Sequence, residues 1–429
     1  MNYKETVEYL FNSTPVFEHV GATAYKDGLD NSHALDAHFG HPHTRYQTIH
    51  VAGTNGKGSS SHTLASILQA DGHRVGLYTS PHLVDFRERI RVNGTPIGKD
   101  YVVDFVRDHR AFFEPLHPSF FELTTALAFK YFAEQQVDIA VIEVGLGGRL
   151  DCTNIITPVL SVITNISLDH TQFLGNTLAQ IAGEKAGIIK HGVPVVVGET
   201  TPETRPVFEQ KARLMQAPLL LAEDAPEVTS AHMLPEGGIS YDTRSFGTLK
   251  GELGGTYQQK NANTVLTAVG ELMRQGIIRH GEAVAEGFAH VCEATGLEGR
   301  WQQLQTAPRV VCDTGHNVGG WQYLSRQIAA QPCKQLRIVF GMVDDKDIDT
   351  VMQLLPGNAV YHFTQASTHR AIPVDRVMEK ARQHGLEGTP HSTVEEAYRQ
   401  ALAEADTDDF IFVGGSSYVV ADLLTALQH

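Results

Sequence analysis

Short apolar runs alternate with stretches of helical periodicity along most of the chain. In the first two hundred residues, the apolar runs that predict buried strands are YQTIHVAG, RVGLYTS, VDIAVIEV, PVLSVITN and PVVVG. Patterns with the helical repeat lie between them, at about 57–71, 100–114, 121–135 and 176–190. Because buried strands that alternate with helices form parallel sheets covered on both faces, the pattern predicts an α/β fold with a mostly parallel sheet.

The pattern changes in the middle of the chain and then restarts. The segment 238–253, GISYDTRSFGTLKGEL, alternates as an antiparallel hairpin does, and helical patterns follow at 257–275 and 280–292. GLEGRWQ, 296–302, interrupts the pattern, after which PRVVCD, QLRIVFG, NAVYHFT and DFIFVGG predict four more strands. A chain of 429 residues exceeds one ordinary core, so we predict two domains, 1–295 and a smaller Rossmann-like α/β domain at 296–429.

Composition and charge narrow the class of protein. The formal net charge of −15 argues against nonspecific binding to nucleic acid. No apolar run reaches the roughly 18 residues that a membrane span needs, and the N-terminus, MNYKETVEYLFN, lacks the apolar core of a signal peptide. The four cysteines show no C-x-x-C pairing, which favours a reducing compartment. We therefore expect a cytoplasmic protein that uses neither nucleic acid nor a membrane.

The segment HVAGTNGKGSSSHTL, residues 50–64, follows the first predicted strand and opens the first predicted helix. A phosphate-binding loop lies at such a junction, where backbone N–H groups and the helix N-terminus face the anion. The standard pattern is not matched, because Val51 takes the first glycine position and Gly58 separates Lys57 from Ser59. Two interpretations remain at this point: a nucleotide loop in which Lys57 neutralises phosphate, or a tight turn that happens to contain a lysine.

Two ionisable residues stand out on chemical grounds. Glu143 ends the predicted strand VDIAVIEV, where open parallel sheets bind ligands, so its carboxylate is either a Mg²⁺ ligand or a helix cap. Lys185 lies on the apolar face of the helical pattern LAQIAGEKAGIIK. A buried ammonium is costly unless it is paired or neutral, so Lys185 either reaches water by snorkelling or is a perturbed amine.

The loop GTNGKGS, with its departures from the standard pattern, resembles the phosphate loop of the folylpolyglutamate synthase and dihydrofolate synthase family, relatives of the Mur ligases. Further blocks resemble the family in the family's order. They are AYKDGLDN (24–31), TSPHLVDFRERIRVNG (79–94), FFELTTALAF (120–129), EVGLGGRLDCTN (143–154), NISLDHTQFLG (165–175), GEKAGIIK (183–190), YQQKNANTVLTA (257–268), GRWQ (299–302), DTGHN (313–317) and FGMVDDKD (340–347). The resemblance spans nearly the whole chain and implies a Mur ligase-like P-loop domain followed by a smaller ligase domain.

The resemblance also implies roles for particular residues. The residues that match ATP-binding positions are Gly53, Thr54, Asn55, Gly56, Lys57, Gly58, Ser59, Asn261, Arg300 and Asp313. The residues that match ligands of two Mg²⁺ ions are Ser80, Glu143, His170 and Lys185, the lysine as a carbamate formed with CO₂. The candidate catalytic residues are then Lys57, His170, Lys185 and His316.

Several of these residues also have structural interpretations. On the sequence alone, His170 is a lone histidine, Arg300 a solvated linker charge and Asp313 a helix cap. The chain departs from the family at one point, since many members have A-H-N-P after the aspartate and this chain has T-G-H-N-V. The missing proline predicts a looser loop, although Asp313 and His316 are retained.

Two segments match positions that contact the pterin substrate in the family. Their residues are Ser119, Phe120, Phe121, Glu122, Leu150, Asp151 and Cys152. Phenylalanine rings stack on flat heterocycles, but aromatic residues at the start of a helix equally belong to the core. Both interpretations of Phe120 and Phe121 stay open from the sequence.

The resemblance implies an ATP-dependent ligase. In the family, ATP phosphorylates a carboxylate, and the amine of L-glutamate attacks the acyl phosphate, with release of ADP and phosphate. We expect a monomer that extends tetrahydrofolate with glutamate and also converts 7,8-dihydropteroate to dihydrofolate. The alternatives are polyglutamylation alone, a Mur-type amino-acid ligase, or a nucleotide-binding protein without catalysis. A Mur-type ligase needs a uridine-nucleotide N-terminal domain, for which the residues before the loop leave little room.

Overall fold

The chain forms two compact units in the computed structural model, which describes residues 1–13, 28–234, 237–344 and 346–428. Residues 24–27 and 345, which belong to two of the blocks quoted above, lie outside these ranges. The units comprise Met1–His232, Ser240–Glu252 and Gln259–Gly296 in the first, and Met233–Ile239, Leu253–Gln258 and Leu297–His429 in the second. The boundary between residues 295 and 296 stays a prediction, because the second unit also takes in two short segments that precede it.

The main sheet of the first unit has eight strands in the order β4-β3-β2-β5-β1-β6-β7-β8. They are β1 (Gln47–Ala52), β2 (Val75–Tyr78), β3 (Ile90–Val92), β4 (Thr95–Pro96), β5 (Ile139–Glu143), β6 (Leu160–Ile163), β7 (Val195–Val197) and β8 (Leu219–Leu221). Neighbouring strands from β2 to β8 pair in parallel, while β3 and β4 add an antiparallel edge. All five strands predicted in this part of the chain are present, and the mostly parallel sheet is confirmed.

Helices connect these strands and cover the sheet. In the first three hundred residues they are α1 (Tyr3–Ser13), α2 (Asp30–His38), α3 (Lys57–Ala70), α4 (Lys99–Phe113), α5 (Phe120–Glu134), α6 (Thr171–Leu174), α7 (Leu178–Lys185), α8 (Arg205–Leu214), α9 (Gln258–Arg274), α10 (Glu282–Ala289) and α11 (Val291–Thr295). In the part of the chain that the structure describes, none of the helices has the length and apolar character needed to cross a bilayer.

The helix predicted at 176–190 is wrong in its length. α7 ends at Lys185, and Ala186–Ile188 forms a single 3₁₀ turn. Gly187 packs so closely on the backbone of Arg149 that an added Cβ would collide with it. The apolar repeat continues across this break, since Ala186 and Ile189 are both buried. Periodicity alone therefore does not locate the end of the helix.

A three-stranded sheet follows, in the order β11-β10-β9. Strands β10 (Ile239–Thr243) and β11 (Thr248–Gly251) form the predicted hairpin, and the amide of Thr243 donates to the Gly247 carbonyl across its turn at 3.0 Å. Strand β9 (Val228–Met233) is missing from the prediction. Val228 is its one buried residue, so no apolar run marks the strand in the sequence.

The second unit holds a six-stranded sheet in the order β12-β13-β17-β14-β15-β16. Its strands are β12 (Gln302–Thr306), β13 (Arg309–Asp313), β14 (Leu336–Phe340), β15 (Val360–Phe363), β16 (Gly388–Pro390) and β17 (Phe410–Gly414), and its helices are α12 (Val318–Ala329), α13 (Ile348–Leu354), α14 (Val374–Gln383), α15 (Val394–Ala403) and α16 (Ser417–Leu427). β12 is antiparallel to β13 and the other neighbours are parallel. The four predicted strands are present, whereas β12 and β16 have no buried residue and escape prediction.

The carboxyl ends of the parallel strands place the candidate residues. β1 is flanked by β5 and β6; the glycine loop follows β1, Glu143 ends β5, and the segment 164–170 follows β6. Because parallel strands end at a common edge of the sheet, these three segments lie together there. In the second unit, Asp313 likewise ends the parallel strand β13.

The packing of α10 on α3 gives a test of this fold. A Cβ at Gly287 would lie 2.5 Å from the Ile67 Cα, so Gly287→Ala forces the two helices apart and lowers the free energy of unfolding. We expect a loss of about 1–3 kcal/mol, which urea denaturation measures. The control is Gly270→Ala in α9, where no atom lies within 4 Å of the added Cβ and the higher helix propensity of alanine gains up to about 1 kcal/mol. Equal effects of the two substitutions would contradict the close helix contact.

Candidate nucleotide and metal site

The loop between β1 and α3 is built on two glycines that no other residue replaces without strain. Gly53 has φ 149° and Gly56, the N-cap of α3, has φ 83°. A Cβ at Gly53 would collide with the Thr164 hydroxyl, and one at Gly56 would collide with the Asn261 side-chain oxygen. The loop is thereby a narrow backbone turn at a helix N-terminus, the arrangement that presents amide groups to an anion.

Two residues that follow strand β6, Thr164 and Asn165, hold the glycine loop in place through hydrogen bonds. The Thr54 amide donates to the Asn165 carbonyl at 2.9 Å, and the Asn55 amide donates to the Asn165 Oδ1 at 2.9 Å. The Thr164 hydroxyl donates to the Asn55 carbonyl at 2.6 Å. Sequence reasoning quoted the block NISLDHTQFLG, 165–175, but used it only for His170 and missed Asn165 as a support of the loop.

Two lysines converge on one backbone oxygen in the loop. Lys57 Nζ donates to the carbonyls of Gly53 and Thr54, both at 3.1 Å. Lys185 Nζ, from the end of α7, donates to the same Gly53 carbonyl at 2.8 Å. The Gly53 oxygen thus sets the position of both amines beside the turn.

Lys185 is buried, with 4% of its surface exposed. Burial, and after it the nearby charge of Lys57, lower the pKa of Lys185 to about 7. Its amine therefore lies inside the protein against the Gly53 carbonyl, and the snorkelling interpretation does not hold. A substantial neutral fraction at neutral pH follows, and a neutral amine is a nucleophile.

Ser80 and Glu143 lie side by side at the ends of β2 and β5. The Ser80 amide donates to Glu143 Oε2 at 3.2 Å, and Glu143 is buried and paired in register with Val51, just before the loop. Among the described residues, no three His, Cys, Asp or Glu side chains converge closely enough to hold a metal by themselves. Mg²⁺ commonly takes one or two protein oxygens and completes its shell with phosphates and water, so the Glu143 carboxylate beside Ser80 is the kind of ligand that fits that ion.

His170 lies in the loop after β6. Its backbone has φ 48°, a left-handed conformation, and it is the N-cap of the short helix α6. Its Nε2 lies 3.9 Å from the Asp169 carboxylate, with 29% of the side chain exposed. The ring is thus accessible at the edge of the sheet that carries the glycine loop.

Asn261 and Asp313 are buried polar residues, each in its own unit. Asn261 is a residue of α9 whose side chain lies against Gly56. Asp313 accepts hydrogen bonds from the Tyr257 hydroxyl at 2.6 Å, from the Trp301 amide at 2.8 Å and from the Gly315 amide at 2.8 Å. Burial raises the pKa of Asp313, while the Arg300 charge and these donors oppose the shift.

Asp313 is not the cap of the following helix, since the Asn317 side chain accepts from the Gly320 amide at the start of α12. The Arg300 guanidinium donates to the Thr314 hydroxyl and is half-buried, so it is not a fully solvated linker charge. His316 Nδ1 lies 3.1 Å from the Thr314 carbonyl and therefore carries the proton, which leaves Nε2 as the other ring donor or acceptor. Tyr257 was missed by sequence reasoning, although it opens the quoted block YQQKNAN.

Among the candidate substrate residues, Ser119 and Glu122 form the capping box of α5. The Ser119 hydroxyl accepts from the Glu122 amide at 3.2 Å, and Glu122 Oε2 accepts from the Ser119 amide at 2.6 Å. Asp151 is committed in a similar way, because its oxygens accept from the Leu146 amide at 2.8 Å and from the Thr153 amide at 3.0 Å. These polar groups therefore stabilise the backbone at the start of α5 and in the turn around Asp151.

The other candidate substrate residues differ in burial. Phe120 is a core residue that stacks on Phe11 with ring centroids 4.5 Å apart. Phe121 is half-buried, and its ring lies so close to Gly145 that an added Cβ there would collide with it. Leu150 is half-buried, and the buried Cys152 Sγ lies 3.0 Å from the Thr125 hydroxyl. Of the two phenylalanines, Phe121 is the more accessible to a ligand.

Comparison with known protein families identifies both parts of the chain. Residues 51–205 match the Mur ligase middle domain, and residues 299–417 match the Mur ligase glutamate ligase domain. These matches agree with the α/β units described above.

Several characterised proteins are similar over nearly their full length. The dihydrofolate synthase/folylpolyglutamate synthase of Bacillus subtilis (strain 168) is 32% identical over 94% of this chain and 95% of its own. The folylpolyglutamate synthase of Lacticaseibacillus casei is 34% identical over 98% and 97% of the two chains. The solved structure of E. coli FolC in complex with DHPP and ADP is 31% identical and has a TM-score of 0.84, covering 100% of this chain and 98% of that one.

The burial of Lys185 predicts a pH-dependent contribution to stability. In the folded protein its pKa is about 7, whereas the same amine titrates at 10.5 when unperturbed. Between these values the unfolded chain binds the extra proton, so the free energy of unfolding of the wild type rises with pH. Lys185→Met removes this contribution, and its stability relative to the wild type is therefore highest near pH 6 and falls towards about pH 9.

Urea denaturation of both proteins in CO₂-free buffer measures this difference. In the comparison variant Lys190→Met the pH-dependent difference should be smaller, since burial also lowers the pKa of Lys190 but this side chain is only half-buried and donates to the Asn154 carbonyl. A stability difference between wild type and Lys185→Met that stays constant over this pH range would contradict the buried amine.

Proposed function

The chain belongs to the folylpolyglutamate synthase and dihydrofolate synthase family of Mur ligases, and from this premise we propose how its residues carry out the reaction. It is an ATP-dependent ligase that joins L-glutamate to folates. The observation that carries the residue assignment is the convergence of Lys57 and the buried Lys185 on the Gly53 carbonyl, at the N-terminus of α3.

The reaction requires that a carboxylate become an electrophile. The γ-phosphoryl group passes from ATP to an oxygen of the substrate carboxylate, and ADP leaves. The glutamate nitrogen then attacks the acyl carbon, the C–O bond to phosphate breaks, and the amine gives up a proton as the amide forms. Most of the protein's contribution is placement of the reactants and neutralisation of charge.

We assign Lys57 and residues 53–59 to the phosphates of ATP. The backbone amides at the start of α3 and the partly exposed Lys57 ammonium are the positive groups of this turn. A phosphate is a stronger partner for an ammonium than the neutral carbonyls that Lys57 now contacts, so Lys57 exchanges them for the nucleotide.

We assign two Mg²⁺ ions to Ser80, Glu143, His170 and a carbamate on Lys185. Ser80 and Glu143 supply the hard oxygen atoms that the ion prefers, and His170 lies in the adjacent loop. When bound, Mg²⁺ neutralises the charge of the phosphoryl group in transfer. The neutral Lys185 amine attacks CO₂: an N–C bond forms, one C=O π bond of CO₂ becomes a C–O⁻ bond, and the nitrogen loses a proton. A buried neutral amine thereby becomes an anion suited to a metal.

We assign Asn261, Arg300 and Asp313 to the nucleotide, and His316 to a position near it. Asn261 already lies against Gly56 of the loop. Arg300 offers a planar guanidinium held by Thr314, and Asp313 is fixed by three donors. A carboxylate held in this way suits a hydroxyl or amine of the ligand better than a phosphate.

We assign the flat heterocycle of the substrate to the surface formed by residues 119–122 and 150–152. Phe121 is the ring of this set that is accessible to stacking, while Phe120 supports it from the core. Ser119, Glu122 and Asp151 shape the surface through their own hydrogen bonds, and Leu150 and Cys152 line it.

Two alternatives differ in testable ways. A Mur-type amino-acid ligase shares both matched domains but requires a nucleotide-linked peptide as its substrate. A protein that only binds nucleotide would not release ADP with folate and glutamate. A monomeric state and a cytoplasmic location stay predictions from the sequence.

The carbamate gives a direct measurement. Native mass spectrometry under bicarbonate should show the mass of one added CO₂, and the adduct should diminish as the pH falls below about 7, because a protonated amine does not react. Lys185→Met should lose both the adduct and turnover. Lys190→Met should keep both, since Lys190 lies away from the loop. An adduct that survives in Lys185→Met would refute the assignment.

We further propose that one site performs both ligations, because the two substrates differ only in what bears the carboxylate. Purified protein with ATP, Mg²⁺ and L-glutamate should convert 7,8-dihydropteroate to dihydrofolate and should also extend tetrahydrofolate. ADP release and product chromatography measure the two reactions. Lys57→Ala is the control for contaminating activity and should lose both. Extension of tetrahydrofolate without any dihydrofolate would leave polyglutamylation as the only activity.

A further inference from the structure

Arg89 is a large, fully buried charged residue beside the proposed site. It ends the 3₁₀ turn Phe86–Arg89, and only 1% of its surface is exposed. Removing a guanidinium from water costs several kcal/mol, so its position is not explained by packing alone. The groups that it contacts indicate what the burial achieves.

The side chain of Arg89 connects a loop with two aromatic rings. Its Nε donates to His82 Nδ1 at 2.7 Å. Its guanidinium carbon lies 5.1 Å from the ring centroid of Phe120 and 5.6 Å from that of Phe121. A planar cation attracts the faces of aromatic rings, and Lys does not reproduce both the stacking and the directed N–H bond.

The backbone of Arg89 binds the same loop. Its carbonyl accepts from the Thr79 amide at 3.0 Å, and the next residue, Ser80, donates to Glu143 Oε2 at 3.2 Å. The segment 79–82 is therefore fixed to Arg89 at both of its ends, and Ser80 lies between these two attachments.

The Phe121 ring contacts the segment that follows Glu143. The ring fills the space beside Gly145, where a Cβ would collide with it, and Gly145 lies two residues after Glu143. Arg89 thus lies between two groups. One is the Phe121 ring, which contacts Gly145 in the loop after Glu143, and the other is the segment 79–82, which contacts Glu143 through Ser80.

We propose that Arg89 is a positioning residue that fixes the Phe121 ring relative to Ser80 and Glu143. It thereby sets the distance from the heterocycle of a folate or pteroate to the place where its carboxylate is phosphorylated. This inference rests on the proposed function, because it takes Phe121 as the stacking surface. It predicts that a substitution of Arg89 raises the KM for the folate substrate without raising the KM for ATP.

The test compares Arg89→Met and Arg89→Lys with the wild type in steady-state kinetics. We expect Arg89→Met to raise the KM for the folate or pteroate about tenfold, with the KM for ATP within about twofold, because the lost contacts orient only the ring. Arg89→Lys keeps the charge, so its KM for the folate or pteroate should lie between those of the wild type and Arg89→Met. The matched control is Arg87→Met, in the same 3₁₀ turn, where the arginine is partly exposed and paired with Asp85 at 2.9 Å.

A double-mutant cycle with Phe121→Leu separates positioning from a general structural role. If Arg89 acts through the ring, Arg89→Met adds little to the folate KM once Phe121 is Leu. Additive effects, or equal rises in the KM values for folate and ATP, would overturn the inference. If Arg89→Met does not fold, Arg89→Lys decides in the same cycle. Absence of glutamate ligation by the wild type would instead refute the proposed function.

Discussion

The carbonyl oxygen of Gly53 is the point on which the candidate site depends. It accepts hydrogen bonds from Lys57 at the start of α3 and from Lys185 at the end of α7. Two amines bound to one neutral oxygen repel each other when both are charged, and the buried one yields its proton more readily. The loop geometry thus places a buried amine with a lowered pKa beside a second, less buried amine at the start of α3.

The parallel sheet makes this convergence possible. β1, β5 and β6 are neighbours, so the glycine loop, Glu143 and the segment 164–170 leave the sheet at the same edge. Asn165 accepts hydrogen bonds from the loop amides and the Thr164 hydroxyl donates one to the Asn55 carbonyl, so the loop is held in place by the protein itself. A preorganised loop loses less conformational freedom when a ligand binds, so more of the binding energy is available to position the reactants. This favours a reaction in which the protein mainly positions the reactants.

The polar residues near the proposed substrate surface satisfy one another. Ser119 with Glu122, and Asp151 with its own turn, use their oxygens to stabilise the ends of short backbone segments. Buried polar groups require such partners, because an unsatisfied one costs free energy. The proposed stacking of a heterocycle on Phe121 therefore requires none of these bonds to break.

The sequence by itself determined nine strands of the two larger sheets, the loop at the first strand–helix junction, and the positions of Glu143 and Asp313 at strand ends. These features are local, since apolar periodicity and glycine spacing are read within a few residues. Polar strands such as β9, β12 and β16, and the early end of α7, carried no such signal. Only the tertiary structure decided that Lys185 points inward to Gly53, that Tyr257 holds Asp313, and that Arg89 joins His82 to Phe121. Gly53 and Lys185 are 132 residues apart, and contacts over such separations follow from how the chain folds back on itself.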